Sequence, residues 1–408
     1  MGKMDLWYGF ACHSVDLLKG HGILCFIAQN NWTTSAGAKK MRDKVIADTR
    51  ILQLLDFNTY MVFENADIQT MIMLFEKNQS SDEYIFDYRK LIEGAEREDM
   101  IALLNKLNLK TSYRTPLFNR SRYANSLLTF SANDDILDKI AQNKQFLQGN
   151  EIAQGIVFPQ DFLDRKGANK LNNAFPIGTG IFGLSEFEYE SMSLNNKELS
   201  LIKPYFTSEQ IYRYYTNPNN TKWLIYTDSS FKRQESLDDY PNIKRHLDHF
   251  KDIFTSDNKP YGLHRSRKES FFQGEKIISL RKCVGQPSFS YSDFDCYVTQ
   301  TFFLIKTLRW NLKFLTGVLN SKLIAFWLRN RGKMQGANYQ VDKEPLMHIP
   351  LPNTNVDQIP IIKLVNVILD KLKQSPNSDI SIEEAEINSL VYQIYNLTEN
   401  EIHTVEHS

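Results

Sequence analysis

Cysteine is scarce in this 408-residue chain: Cys12, Cys25, Cys283 and Cys296 are the four, and no two have the C-x-x-C spacing of zinc ribbons and dithiol redox sites. A disulfide-stapled scaffold is thereby excluded, and the four are expected to be reduced, mostly buried thiols. Histidine is thin as well. His246 and His249 stand three apart on a helix-like stretch, but no third ligand lies near them, which predicts a solvated helix face and no metal. Net charge is absent, since 48 Lys and Arg balance 48 Asp and Glu. A global polycation is excluded; a local basic face is not. No apolar run approaches the roughly twenty residues of a membrane helix, and no signal peptide opens the chain. The expectation is a cytoplasmic protein without a membrane partner.

What is present is unevenly distributed. The length predicts two or three domains, and 42% apolar residues suffice for a packed core. Four regions can be traced. In residues 1–90, Asp5–Lys19 has helical spacing, Gly22–Ala28 is a short apolar run, Ala36–Asp48 is a second helix, and strands follow at Leu54–Phe57 and Thr70–Lys77. The uninterrupted apolar stretch Ile23–Ile27 predicts a strand buried in a mostly parallel sheet. Residues 91–150, rich in Leu, Asn and Lys, are expected to form a helical connector. Residues 151–353 form the longest region. Residues 354–408 predict a helical tail with Ile361–Leu372 and Ile382–Glu401 on either side of Ser375-Pro376-Asn377. Ser381 and Glu384 have the spacing of a capping box. Gly178, Gly180 and Gly183 spell G-x-G-x-x-G, but the following Leu184–Tyr189 lacks the spacing of an apolar-faced helix, so a turn is expected and not a dinucleotide site.

Charge is concentrated within the third region. From residue 259 to 282 seven basic residues stand against Glu269 and Glu275, with Tyr261, Phe271 and Phe272 interleaved, and an acidic C-terminal segment restores the balance. Lys and Arg neutralise phosphates, and planar or amide side chains contact base edges. Arg pairs bidentately with guanine, and Asn or Gln with adenine. The candidates for contact with double-stranded DNA are therefore Lys259, Arg265, Arg267, Lys268, Lys276, Arg281 and Lys282, joined by Lys333, Gln335, Asn338 and Gln340. The competing reading is an ordinary charged surface with a few salt bridges.

Several runs resemble TaqI-like DNA adenine methyltransferases and the fused type IIG restriction–modification enzymes. Gly2–Phe10 (GKMDLWYGF), Gly22–Trp32 (GILCFIAQNNW), Val62–Phe63 and Thr70–Lys77 (TMIMLFEK) are similar to the second half of their methyltransferase domain. Lys259–Arg267 (KPYGLHRSR), Gly274–Lys282 (GEKIISLRK), Leu315–Lys322 (LTGVLNSK) and Gly332–Lys343 (GKMQGANYQVDK) are similar to their target-recognition part. The resemblance covers most of the chain. It implies an α/β fold: the C-terminal half of a Rossmann-like methyltransferase sheet, then a mixed α+β target-recognition domain and a helical C-terminal segment. S-adenosylmethionine is implied as the cofactor of the complete enzyme.

In the family a Gly-rich donor loop and an Asn-Pro-Pro-aromatic loop precede these runs, and no such tetrapeptide occurs in this chain. Methyl transfer needs both, one to cradle the donor and one to orient the adenine amino group. The expectation is that the chain has no catalytic residues of its own, does not bind S-adenosylmethionine alone, and depends on a separate chain or missing segment. The edge of Ile23–Ile27 is then open, and an open apolar edge invites pairing. Phe63 matches the family's aromatic that stacks on the flipped-out adenine; alternatively it packs in a hairpin core. Gln29 departs from the family, which usually has Pro there. The alternative function is a non-catalytic specificity subunit or truncated remnant that binds duplex DNA only.

Overall fold

The computed structural model describes residues 4–408 apart from 64, 67, 79–80, 108–109, 124–126, 129, 131–132, 143–144 and 255–257; Gly2 and Lys3 of the first run lie outside it. The chain divides into two compact units, Met1–Leu137 with Arg329–Gly336, and Asp138–Leu328 with Ala337–Ser408.

In the first unit α1 (Leu6–Leu17) leads to β1 (Ile23–Gln29), α2 (Lys39–Asp48), β2 (Arg50–Asp56), β3 (Thr70–Glu76), β4 (Glu83–Ile85) and β5 (Asp87–Leu91). Then come α3 (Arg97–Leu104), β6 (Thr111–Arg114), β7 (Leu117–Asn119) and α4 (Arg120–Tyr123). One sheet has the order β1-β3-β2-β5-β6. In it β3 is antiparallel to β1 and β2, β2 is parallel to β5, and β6 is antiparallel to β5. The sheet is mixed, not mostly parallel, and β1 is its edge. Ile23, Cys25 and Ile27 face solvent, whereas Leu24, Phe26 and Ala28 pack on the core. Continuous apolarity in Ile23–Ile27 therefore marks a half-covered edge strand and not a buried one.

Trp32 anchors this core, where its Nε1 donates to Met71 Sδ at 3.0 Å. The buried Arg42 of α2 donates to the Trp32 carbonyl at 2.8 Å and to that of Ser35, and so satisfies the turn after β1. The stretch 91–150, expected as a helical connector, also contributes strand. Its β6 extends the sheet beyond β5, and Arg89 on β5 donates to the carbonyls of Leu103 and Leu104 at the end of α3.

The chain continues through α5 (Asp134–Gln142), β8 (Ile152–Gln154), α6 (Arg165–Lys170), β9 (Gly183–Ser185), α7 (Glu186–Ser191), α8 (Asn196–Leu199), β10 (Ile202–Tyr205), β11 (Tyr214–Tyr215), β12 (Lys222–Ile225) and α9 (Pro241–Asp248). There follow β13 (Lys276–Leu280), β14 (Lys282–Cys283), β15 (Phe289–Ser292), β16 (Phe302–Ile305), α10 (Leu312–Leu319), α11 (Lys322–Arg331), β17 (Lys333–Gln335) and β18 (Asn338–Gln340). The last helices are α12 (Lys343–His348), α13 (Ile359–Gln374), α14 (Ser381–Ile394) and α15 (Glu399–Glu406). The second unit has a central sheet β11-β15-β13-β16-β8 and a smaller one β10-β12-β9. Strands β13, β15 and β16 are buried over nearly their whole length, as their apolar and small residues require. Helix α13 closes on α10 at Gly317, where a Cβ would lie 2.5 Å from Ile361 Cγ2.

Three local expectations are corrected here. No capping box forms at Ser381–Glu384; Asp379 Oδ1 accepts from the Ser381 amide at 3.0 Å instead, and the box forms one helix later at Thr398–Glu401. His246 is not on a solvated face, because its Nε2 donates to the Ile181 carbonyl at 2.9 Å, its ring meets Phe250, and burial lowers its pKa. Among the described residues no cluster could hold a metal ion. A helix does follow the glycine motif, but α7 is six residues long and has no buried residue. Nor is any helix of the described residues long and apolar enough to cross a membrane.

Candidate nucleic-acid interface

The second unit places several of the candidate basic residues around one turn. After β8 the chain runs between two partners: Ile156 bridges Thr299 in parallel, and Val157 bridges Arg265 antiparallel. The Val157 and Arg265 backbones exchange two hydrogen bonds of 3.0 Å, which fixes Arg265 at an exposed position. Lys259 and Lys268 are exposed on the same loop. Arg267 turns inward with φ of 69°; its Nε donates to Gly155 O at 3.2 Å and its Nη2 to Gln154 Oε1 at 2.8 Å. Burial, with the charge of Arg265 beside it, lowers its pKa.

On the other side of the 299–301 turn, the Arg281 amide donates to the Thr301 carbonyl at 2.9 Å and Arg281 Nε donates to Asp342 Oδ1 at 2.5 Å. Strand β14 then pairs Lys282 with Gln340 on β18, and Asn338 is exposed at that strand's start. The fold thus brings Arg265, Arg281, Lys282 and Gln340 into one band. Lys333 and Gln335 lie on β17, which belongs to the first unit.

Lys276 does not belong to the band. It is fully buried at the start of β13, its Nζ donates to the carbonyls of Gly274 and Phe294, and burial lowers its pKa to about 8. Counting charge along the chain could not reveal this, because Lys276 occupies a core-facing position of a strand whose neighbours are apolar. Sequence reading also missed residues. A cavity of about 460 Å³ beside the turn is lined by Phe158, Phe162, Lys166, Lys170 and Thr299–Thr301. These residues carry no shared spacing, since the sheet joins segments more than a hundred positions apart.

In the first unit Phe63 sits in the loop between β2 and β3, 44% exposed and outside the core. Near it in sequence, Asp56 at the end of β2 accepts from Asn30 Nδ2 at 3.0 Å and from the Asn58 amide at 2.9 Å, with Lys90 Nζ 3.9 Å away. This carboxylate lines a cavity of about 530 Å³ at the C-terminal ends of β1 and β2, together with Asn31, Gln69, Lys90, Arg114, Arg329 and Lys333. The glycine-rich stretch 178–183 is closed to a phosphate or carboxylate, because Glu188 accepts from the amides of Gly180 and Ser185 at 2.7 and 2.8 Å. This stretch therefore does not fit the carboxylate of the cofactor S-adenosylmethionine.

Two family profiles match the chain. Residues 1–63 match the Eco57I restriction-modification methylase family, and residues 203–351 match the TaqI-like C-terminal specificity domain. In these two stretches the chain is similar to type II restriction–modification methyltransferases, and it is a mixed α/β protein. It is 21% identical over 369 residues to the Type II methyltransferase M.HindII of Haemophilus influenzae, covering 85% of this chain and 67% of that protein. To the Type II restriction enzyme and methyltransferase RM.Eco57I of Escherichia coli it is 20% identical over 250 residues, covering 60% of this chain and 23% of that one. Its fold is similar to the structure of the Type IIL restriction-modification enzyme MmeI in complex with DNA. There the TM-score is 0.58 at 12% identity, over 98% of this chain and 50% of MmeI. The chain thus spans about half the length of MmeI and less than a quarter of RM.Eco57I.

Proposed function

We propose that this chain is the DNA-reading part of an adenine-specific DNA methyltransferase of a restriction–modification system, and that it is inactive by itself. One observation carries the reading. Arg265, the adjacent pair Arg281 and Lys282, and Gln340 are drawn together around the 299–301 turn and the β14–β18 pairing, with Arg265 and Lys282 exposed and Arg281 and Gln340 half-buried, inside the segment 203–351 that matches a specificity domain. Cations for phosphate and amides for base edges are what duplex recognition needs.

Residues 1–90 are read as the second half of a Rossmann-like methyltransferase sheet, 91–150 as its connector, 151–353 as the target-recognition domain and 354–408 as a brace. Strand β1 is the seam. Its sequence ILCFIAQ has no charge and no proline, and large apolar side chains are exposed beside it at Leu6, Phe10, Leu17, Ile23 and Ile27. Unprotected edges of this kind are pairing sites. The donor-binding half, carried by another chain or segment, would complete the sheet there and hold S-adenosylmethionine. Phe63 would then stack on the extruded adenine. The compartment is the cytoplasm, where the DNA is.

The test is titration of a labelled duplex at rising salt. Affinity is expected to fall with a log–log slope of about one per phosphate contacted. Flat affinity would remove the band as a DNA face. Calorimetry with S-adenosylmethionine is expected to show no binding, and clear binding would overturn the division of labour.

A further inference from the structure

We propose that Gln300 is a base-reading residue, presenting its amide to an adenine edge in the major groove; this rests on the DNA reading above. Three features set it apart from the other polar residues of the band.

The first is a rigid backbone. The Gln300 amide donates to the Ile156 carbonyl at 2.8 Å, and its carbonyl accepts from Gln154 Nε2 at 3.1 Å. On either side, the hydroxyls of Thr299 and Thr301 hydrogen-bond each other at 2.6 Å. The second is a support behind it. Gln154 is held by Arg267 Nη2 at 2.8 Å, and Arg267 Nε also holds the Gly155 carbonyl. Gly155 lets the turn approach so closely that a Cβ there would lie 2.0 Å from the Thr299 carbonyl oxygen. The third is a free end. Gln300 is exposed, and among the described residues its side-chain amide has no partner.

A glutamine amide carries one acceptor and paired donors, which match the N6 donor and N7 acceptor of adenine. Pre-organisation lowers the ordering cost of making those bonds. The flanking cations, Arg265 on one side and Arg281 on the other, would hold the backbone of the same duplex. Arg267 is thereby reassigned. It is a positioning residue, because its guanidinium is spent on Gln154 and Gly155.

The full-length chain is used to select its preferred duplex from a randomised pool, and the selection is repeated with Gln300→Ala and Arg267→Lys. Gln300→Ala is expected to lose discrimination on the order of ten- to a hundredfold at a single base pair. Affinity for a scrambled duplex and the salt slope should stay unchanged. Arg267→Lys is expected to relax the same base pair and no other. Retained discrimination at every position in Gln300→Ala, or an equal loss on all duplexes with a slope smaller by about one, overturns the proposal. A wild-type chain that binds duplexes without preference overturns it too while leaving the DNA-binding reading intact. No duplex binding at all overturns both.

Discussion

Replacing Gly155 by alanine tests the packing on which the candidate interface depends. A Cβ at this position would stand 2.0 Å from the Thr299 carbonyl oxygen, 2.6 Å from the Thr299 carbonyl carbon and 2.6 Å from the Val298 oxygen. All three neighbours are backbone, so no rotamer change relieves the clash. With ordinary C···O contact near about 3.4 Å, the turn must retreat by more than an ångström. Overpacking of this kind costs about 1–3 kcal/mol. The retreat also strains the Gly155 amide bond to the Phe302 carbonyl, 3.0 Å, and the Ile156 amide bond to the Val298 carbonyl, 2.8 Å. At about 0.5–1.5 kcal/mol net for each bond, the total reaches about 2–6 kcal/mol. Urea unfolding followed by tryptophan fluorescence is expected to show the loss, with Trp223 and Trp310 reporting on the second unit. Duplex discrimination should weaken along with it while the salt slope persists. A change below about 0.5 kcal/mol would mean that the turn does not rest on residue 155, and the account of Gln300 would lose its support.

Lys276→Met should leave the salt slope of DNA binding unchanged and cost about 1–3 kcal/mol in stability, because the Gly274 and Phe294 carbonyls lose their donor; a slope smaller by about one would return Lys276 to the DNA face. At Glu151, burial pushes the carboxyl up, but hydrogen bonds from Arg309, the Gln148 amide and Thr307 outweigh it and hold the carboxyl below its ordinary 4.5. A depressed folded-state pKa means stability that is present above the unfolded value and lost as pH falls through the folded one. Thermal melts of Glu151→Gln should accordingly depend less on pH in the acid range than wild type, and identical curves would refute the linkage. Phe63→Ala should change stability by less than about 0.5 kcal/mol, as expected for a surface site. It should also slow methylation by a reconstituted pair, and an unchanged rate would end the stacking role.

The family was legible in runs such as GKMDLWYGF and KPYGLHRSR, and so were the helices whose spacing commits one face to a core, α1, α2, α13 and α14. The strands β1 and β3 were also legible as elements, because apolar runs of five or six residues are too short for a helix of the same burial, whereas β2 was read only over its second half, at Leu54–Phe57. Their pairing was not legible in the apolar runs themselves, which read the same in an interior and an edge strand; the open edge at Ile23–Ile27 was expected only through the family resemblance, and the order β1-β3-β2-β5-β6 agrees with it.

The same limit governs the interface. Sequence alone determined that basic and amide residues are concentrated between Lys259 and Gln340, since their number and kind are local facts. Only the tertiary structure decided which of them face solvent. Lys276 was withdrawn into the core, Arg267 was turned back onto Gln154, and Gln300 was brought out between Arg265 and Arg281. The physical reason is that a strand's outward face and a turn's neighbours are set by hydrogen-bonded partners as far as 146 positions away, as between Gln154 and Gln300. No local pattern encodes such a partner.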